Sequence, residues 1–88
     1  MTRDERDKLY ASARRAMAEA TARGDTAAVV EIEKRCAEVQ EAENGLEPAL
    51  RGDCKTAFLA LGLLDASRAL LGAAILRHST PEKQGGGP

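Results

Sequence analysis

The segment from residue 54 to residue 77 most constrains the fold of this 88-residue chain, because large apolar side chains surround its whole helical circumference. Nine such residues occur in it: Phe58, Leu59, Leu61, Leu63, Leu64, Leu70, Leu71, Ile75 and Leu76. A helix that is apolar on all sides is either buried on all sides or lies in a membrane. The rest of the chain, or a partner, must therefore cover this segment.

The N-terminal segment predicts an amphipathic helix. Thr2 and Glu5 have the spacing of a capping box, in which each side chain binds a free amide at the helix start. Apolar residues then recur at spacings of three and four from Leu9 to Ala20. Gly24 follows at the end of this run, where a left-handed backbone is common. These signals indicate a first helix over residues 3–23.

A second helix is predicted over residues 26–44. Asp25 has the side chain of an N-cap, and Asn44-Gly45 is typical of a helix end. The apolar stripe of this helix consists of Val29, Ile32, Cys36 and Val39. No segment shows the alternation of a β-strand, so the sequence predicts an all-α chain with a helical hairpin and a long third helix.

The start of the third helix has two interpretations. Pro48 suits the first position of a helix, which gives a helix over residues 49–77. Alternatively, Asp53 caps a new helix after Gly52. In both cases we expect a single domain over residues 1–78 and a disordered, turn-rich tail over residues 79–88.

Helices one and two cannot cover helix three by themselves. They carry only seven large apolar side chains between them: Leu9, Tyr10, Met17, Val29, Val30, Ile32 and Val39. A membrane span is disfavoured by Asp65 and Arg68, each costing about 2.5–3.5 kcal/mol at the centre of an inserted helix. A small membrane-active, holin-like protein stays an alternative.

In a protein that is not in a membrane, self-association can cover the apolar surface of helix three. A row of small side chains permits close approach of another helix, and Asp65 and Arg68 can pair across a two-fold axis. We therefore predict a homodimeric helical bundle. Its predicted interface consists of Phe58, Leu61, Gly62, Asp65, Ala66, Arg68, Ala69 and Ala73. The other faces of helix three carry a predicted core stripe of Phe58, Leu61, Leu64, Leu71 and Ile75. In a monomer, the same small row would instead accommodate helix one.

Nucleic-acid binding has little support. Ala20, Gly24 and Val30 have a partial helix-turn-helix spacing, but the would-be recognition helix is rich in glutamate, which repels phosphates. The net charge of −1 and the absence of Trp also disfavour a nucleic-acid partner. A DNA-binding regulator with a degenerate motif remains the alternative.

The sequence shows no recognisable pattern of catalytic or metal-binding residues. The single histidine, His78, lies about 36 Å along the helix from Cys54. Neither cysteine belongs to a metal-binding spacing, and no phosphate-binding glycine motif is present. We expect no enzymatic activity, no cofactor and no metal, and we expect Cys36 and Cys54 to be separately buried thiols, with a disulfide as the alternative.

The predicted function follows from these exclusions and from the surplus apolar surface. We expect a small non-catalytic module that binds another protein, as an inhibitor, a chaperone or an adaptor. The charged N-terminal residues lack an apolar signal segment, so we expect a cytoplasmic location.

Overall fold

The computed structural model describes residues 2–79, which form three helices and no strand. The helices are α1 (Arg3–Ala22), α2 (Thr26–Leu50) and α3 (Cys54–His78). The predicted all-α chain of three helices is confirmed. The predicted tail over residues 79–88 lies outside the described residues, apart from Ser79.

Local capping signals begin α1 and α2 as the sequence predicts. The amide of Glu5 donates to the Thr2 hydroxyl at 3.2 Å, and the Thr2 amide donates to the Glu5 carboxylate at 2.9 Å. Gly24 turns the chain with a φ of 75°. Asp25 then accepts a hydrogen bond from the amide of Ala28 at 3.1 Å. These contacts satisfy amides that a helix start leaves without partners.

The predicted end of the second helix at residue 44 is wrong. α2 continues through Gly45 and includes Pro48 in its last turn, so Pro48 does not begin the third helix. The continuation is stabilised by Leu46, which packs against the core. Tertiary packing thus outweighs the local cost of Gly and Pro. Of the two predicted starts for α3, the structure has the later one, with Asp53 accepting from the Thr56 amide at 2.7 Å.

The three helices pack as an antiparallel α2–α3 pair with α1 on one side of it. α1 runs antiparallel to α2, and the Arg23 guanidinium at its end donates to the backbone oxygen of His78 at 2.7 Å. The buried core consists of Ala13, Ala16, Ile32, Val39, Ala42, Leu64, Leu71, Ala74 and Ile75. Since α1 contributes only alanines to this core, it covers little of the apolar surface of α3.

The predicted core stripe of α3 is only partly correct. Leu64, Leu71 and Ile75 are buried, whereas Phe58 and Leu61 are exposed. Phe58 lies on the outward side of α3. Leu61 shares the side of Arg68 but lies two turns earlier, past the start of α1, whose Arg6 is level with Arg68 at Glu43.

Both cysteines are free, and the expectation that both are buried is wrong for one of them. Cys36 is half-buried, but Cys54 is exposed. Cys54 is the first residue of α3, at the end of the α2–α3 pair where the short connection over residues 51–53 joins the two helices.

Candidate interaction surface

Two polar clusters set the rotation of α3 against α2. Near the middle of α3, Arg68 donates to Glu43 of α2 at 3.2 Å. At its C-terminal end, Arg77 and His78 both contact the carboxylate of Glu31, with the His78 Nε2 at 2.6 Å. α3 therefore presents polar groups as well as its buried apolar residues to α2, and its remaining large apolar side chains are turned outward.

The outward face of α3 is unusually apolar for a protein surface. Phe58 is 77% exposed, Leu76 79%, Leu59 63% and Leu63 61%. Leu61 and Leu70 are also exposed. Contiguous apolar surface of this kind marks interaction sites in soluble proteins. We call this surface, together with the small row described next, the α3 face.

The row of small residues lies along the centre of the α3 face. The four residues of the row, Gly62, Ala66, Ala69 and Ala73, are all exposed. α1 therefore does not occupy the row, and the alternative prediction that helix one covers it is wrong. Larger side chains border the row: Leu59, Leu63 and Leu70 on one edge, and Phe58 and Leu76 on the other. The result is a shallow furrow between two apolar edges.

Seven of the eight predicted interface residues lie on the α3 face or at its margin: Phe58, Leu61, Gly62, Asp65, Ala66, Ala69 and Ala73. Leu61 is exposed at its margin toward α1. Arg68 is the exception, because its guanidinium is bound to Glu43 and its side chain is only 16% exposed. Within the chain Arg68 therefore pairs with Glu43, and the predicted pairing of Asp65 with Arg68 across a two-fold axis stays a prediction.

Sequence reasoning did not assign Leu59, Leu63, Leu70 and Leu76 to the interface. The signal that identifies their exposure is the position of Arg68 and His78. Both lie on the opposite side of the helix and find acidic partners on α2. Polar residues that are partnered within the chain thus reveal which side of α3 is turned inward.

A groove of about 460 Å³ runs between α2 and α3 on the side away from α1. Its lining from α3 comprises Ala60, Leu63, Ser67 and Leu70, and its lining from α2 comprises Arg35, Glu38, Glu41, Ala42 and Gly45. The groove continues directly from the Leu63 and Leu70 edge of the α3 face.

A second cleft, of about 370 Å³, lies between α1 and α2. It contains the Tyr10 hydroxyl and the Cys36 thiol. Burial raises the pKa of Tyr10, and the carboxylate of Glu43 acts in the same direction. Burial also raises the pKa of Cys36. Both groups are held in their protonated forms, which are weak nucleophiles.

Metal ligands do not cluster in the part of the chain from residue 2 to residue 79. No group of three or more His, Cys, Asp or Glu side chains there could hold an ion.

By length and composition, α3 is a helix that could cross a membrane, and 28% of its most apolar window is buried against the rest of the protein.

Comparison of the chain with protein-family models, with curated proteins and with solved structures gives no match.

Proposed function

We propose that this protein is a non-catalytic helical interaction module that binds another protein chain through the α3 face, with a homodimer as its assembled form. The observation that carries the proposal is the exposure of six large apolar side chains on one helix. Burying apolar surface contributes about 25 cal/mol per Å², so each leucine removed from water stabilises a complex by about 1–2 kcal/mol. As an inhibitor, a chaperone or an adaptor in the cytoplasm, the protein would bind its target through this face in exchange for the second copy.

The shape of the α3 face favours a helix over a lipid bilayer as its partner. Its centre is a row of Gly and Ala, which contributes little apolar area to a membrane but lets another helix approach closely. Large side chains in the centre of the face are what an interfacial membrane helix needs. Asp65 on this face would also have to enter the hydrocarbon, at a cost of about 2.5–3.5 kcal/mol.

Substitution in the row tests this proposal. We expect Ala66→Glu with Ala69→Glu to weaken dimerisation at least about a hundredfold in sedimentation velocity, because the change places two carboxylates in an apolar contact. Ala18→Glu on the exposed side of α1 is the matched control and should leave the dimer intact. Helicity should be unchanged in all three chains.

Two results would count against the proposal. Unchanged self-association of the double variant would show that the α3 face is not the binding surface. Cosedimentation of the unmodified chain with phospholipid vesicles, without self-association in their absence, would favour the membrane alternative.

A further inference from the structure

We infer that the groove between α2 and α3 is part of the dimer interface and receives the α3 helix of a second copy, lying over the Leu59, Leu63 and Leu70 edge. This inference rests on the proposed function and specifies its partner and the side of α3 that the partner covers. A pair of α3 helices could instead meet over the Phe58 and Leu76 edge. The two arrangements differ in which charges and which helices become buried.

The charge on the α3 face distinguishes its two edges. Asp65 lies beside Phe58 and Leu76, and no ion-pair partner for it exists among residues 2–79. Arg68, its neighbour one turn along, is bound to Glu43. Packing over this edge would bury an unpaired carboxylate, which costs several kcal/mol. The Leu59, Leu63 and Leu70 edge carries one charged residue, Arg77, whose guanidinium is already paired with Glu31.

The groove provides the depth that a second helix needs. Its floor is made of small residues, with Ala42 and Gly45 from α2 and Ala60 and Ser67 from α3. A methyl group added at Gly45 would meet no atom within 4 Å, so the space above this residue is open. Leu63 and Leu70 stand at the groove edge and are both exposed.

The charged residues of the groove all come from its α2 side, where the side chains of Arg35 and Glu38 are 25% and 37% exposed. Arg35 and Glu38 form a hydrogen-bonded ion pair at 2.9 Å on the α2 rim, and Glu41 beside them is exposed. An apolar centre with a polar rim is the usual anatomy of a protein interface. A partner helix centred over Leu63 leaves this rim hydrated.

The area required by a dimer also favours inclusion of α2. α2 and α3 have 25 residues each, so α3 alone presents a strip about 37 Å long and 10 Å wide, or about 370 Å². A standard interface buries about 800 Å² on each partner. A surface that combines α3 with the neighbouring strip of α2, its charged rim included, reaches about 750 Å², close to that value.

The experiment disrupts the proposed contact with one substitution on α2 and one on α3. Gly45→Trp fills the groove from α2 without altering the α3 face, and Leu63→Glu places a charge on the groove-side edge. We expect each to raise the dimer dissociation constant at least about tenfold in sedimentation equilibrium, with the helical circular dichroism signal retained. The control is Ala37→Trp, an exposed α2 position outside the groove, which should change the constant less than about twofold. Leu76→Glu on the opposite edge of the α3 face distinguishes the two arrangements and should weaken the dimer less than Leu63→Glu does.

The outcomes separate this inference from the proposed function. A dimer that is weakened by Leu76→Glu but not by Gly45→Trp and Leu63→Glu would overturn the groove contact, while binding through the α3 face would stand. An unmodified chain that stays monomeric throughout the concentration range would overturn both.

Discussion

The guanidinium of Arg68 on α3 donates a hydrogen bond to the carboxylate of Glu43 on α2 at 3.2 Å. The other oxygen of that carboxylate accepts from the Tyr10 hydroxyl of α1 at 3.1 Å. The Nε of Arg6 on α1 lies 3.8 Å from the same oxygen that Arg68 contacts. One carboxylate thus connects all three helices, and it fixes the rotation at which α3 turns its apolar face outward.

Removal of this carboxylate should destabilise the fold. Glu43→Ala leaves the Arg68 guanidinium and the Tyr10 hydroxyl without an acceptor in a site where the Glu43 side chain is only 20% exposed. We expect a loss of about 1–3 kcal/mol in the free energy of unfolding, measured by urea denaturation at one protein concentration. Glu47→Ala is the control, since Glu47 forms a solvent-exposed pair with Arg51 and should cost less than about 0.5 kcal/mol. Equal losses in the two variants would contradict the role assigned to Glu43.

Acid should destabilise the protein through Glu31. The hydrogen bond with His78 lowers the pKa of Glu31 below its ordinary value of 4.5, and the contact with Arg77 acts in the same direction. Because the carboxylate is favoured in the folded state, its contribution is complete above the unfolded pKa and is lost as pH falls through the lower folded pKa. The thermal midpoint should therefore decline as the pH is lowered below about 4.5.

Glu31→Gln should make that acid decline shallower and lower the midpoint at pH 7. Some decline remains, because hydrogen bonds with Thr2 and Thr56 also lower the pKa values of Glu5 and Asp53. Glu33→Gln is the control, as Glu33 forms no ion pair among the described residues. An identical acid profile for Glu31→Gln and the unmodified chain would rule out this linkage.

Local chemistry made the helix starts predictable from the sequence. The capping box of Thr2 and Glu5 depends on contacts three residues apart, and so does the cap formed by Asp25. The end of α2 was not predictable in this way. Gly45 and Pro48 indicate a break, and only the packing of Leu46 in the assembled fold overrides them.

The candidate surface was predictable in its centre but not at its edges. Gly62, Ala66, Ala69 and Ala73 share one face by helical spacing alone, and they are exposed together. The role of Arg68 depends on Glu43, which lies 25 positions away in the sequence. No spacing rule within one helix identifies such a partner, so the side of α3 that faces inward could not be derived.

The turn between α1 and α2 should be sensitive to its glycine. Gly24 has a φ of 75°, and an added Cβ would meet no atom within 4 Å, so the expected cost is purely one of backbone conformation. Gly24→Ala should lower the free energy of unfolding by about 1 kcal/mol. Gly24→Asn should lower it less, because Asn adopts the left-handed region more readily. The measurement is chemical denaturation, and an unchanged stability of Gly24→Ala would contradict the turn geometry.

The two thiols should differ in reactivity. Cys54 is exposed at the start of α3, whereas Cys36 is half-buried and its pKa is raised by burial and by the nearby Glu33. Ellman's reagent at pH 8 should therefore modify Cys54 at least about tenfold faster than Cys36. The variants Cys54→Ser and Cys36→Ser assign the two phases. A single phase of equal rates would show that Cys36 is not protected by the α1–α2 packing.

The molar mass of the unmodified chain in solution tests the central claim most directly. Static light scattering at micromolar concentration, with helicity recorded on the same sample, measures whether the α3 face is covered by a second copy. The account predicts twice the 9.3 kDa mass of the chain. A mass of 9.3 kDa with full helicity would contradict it.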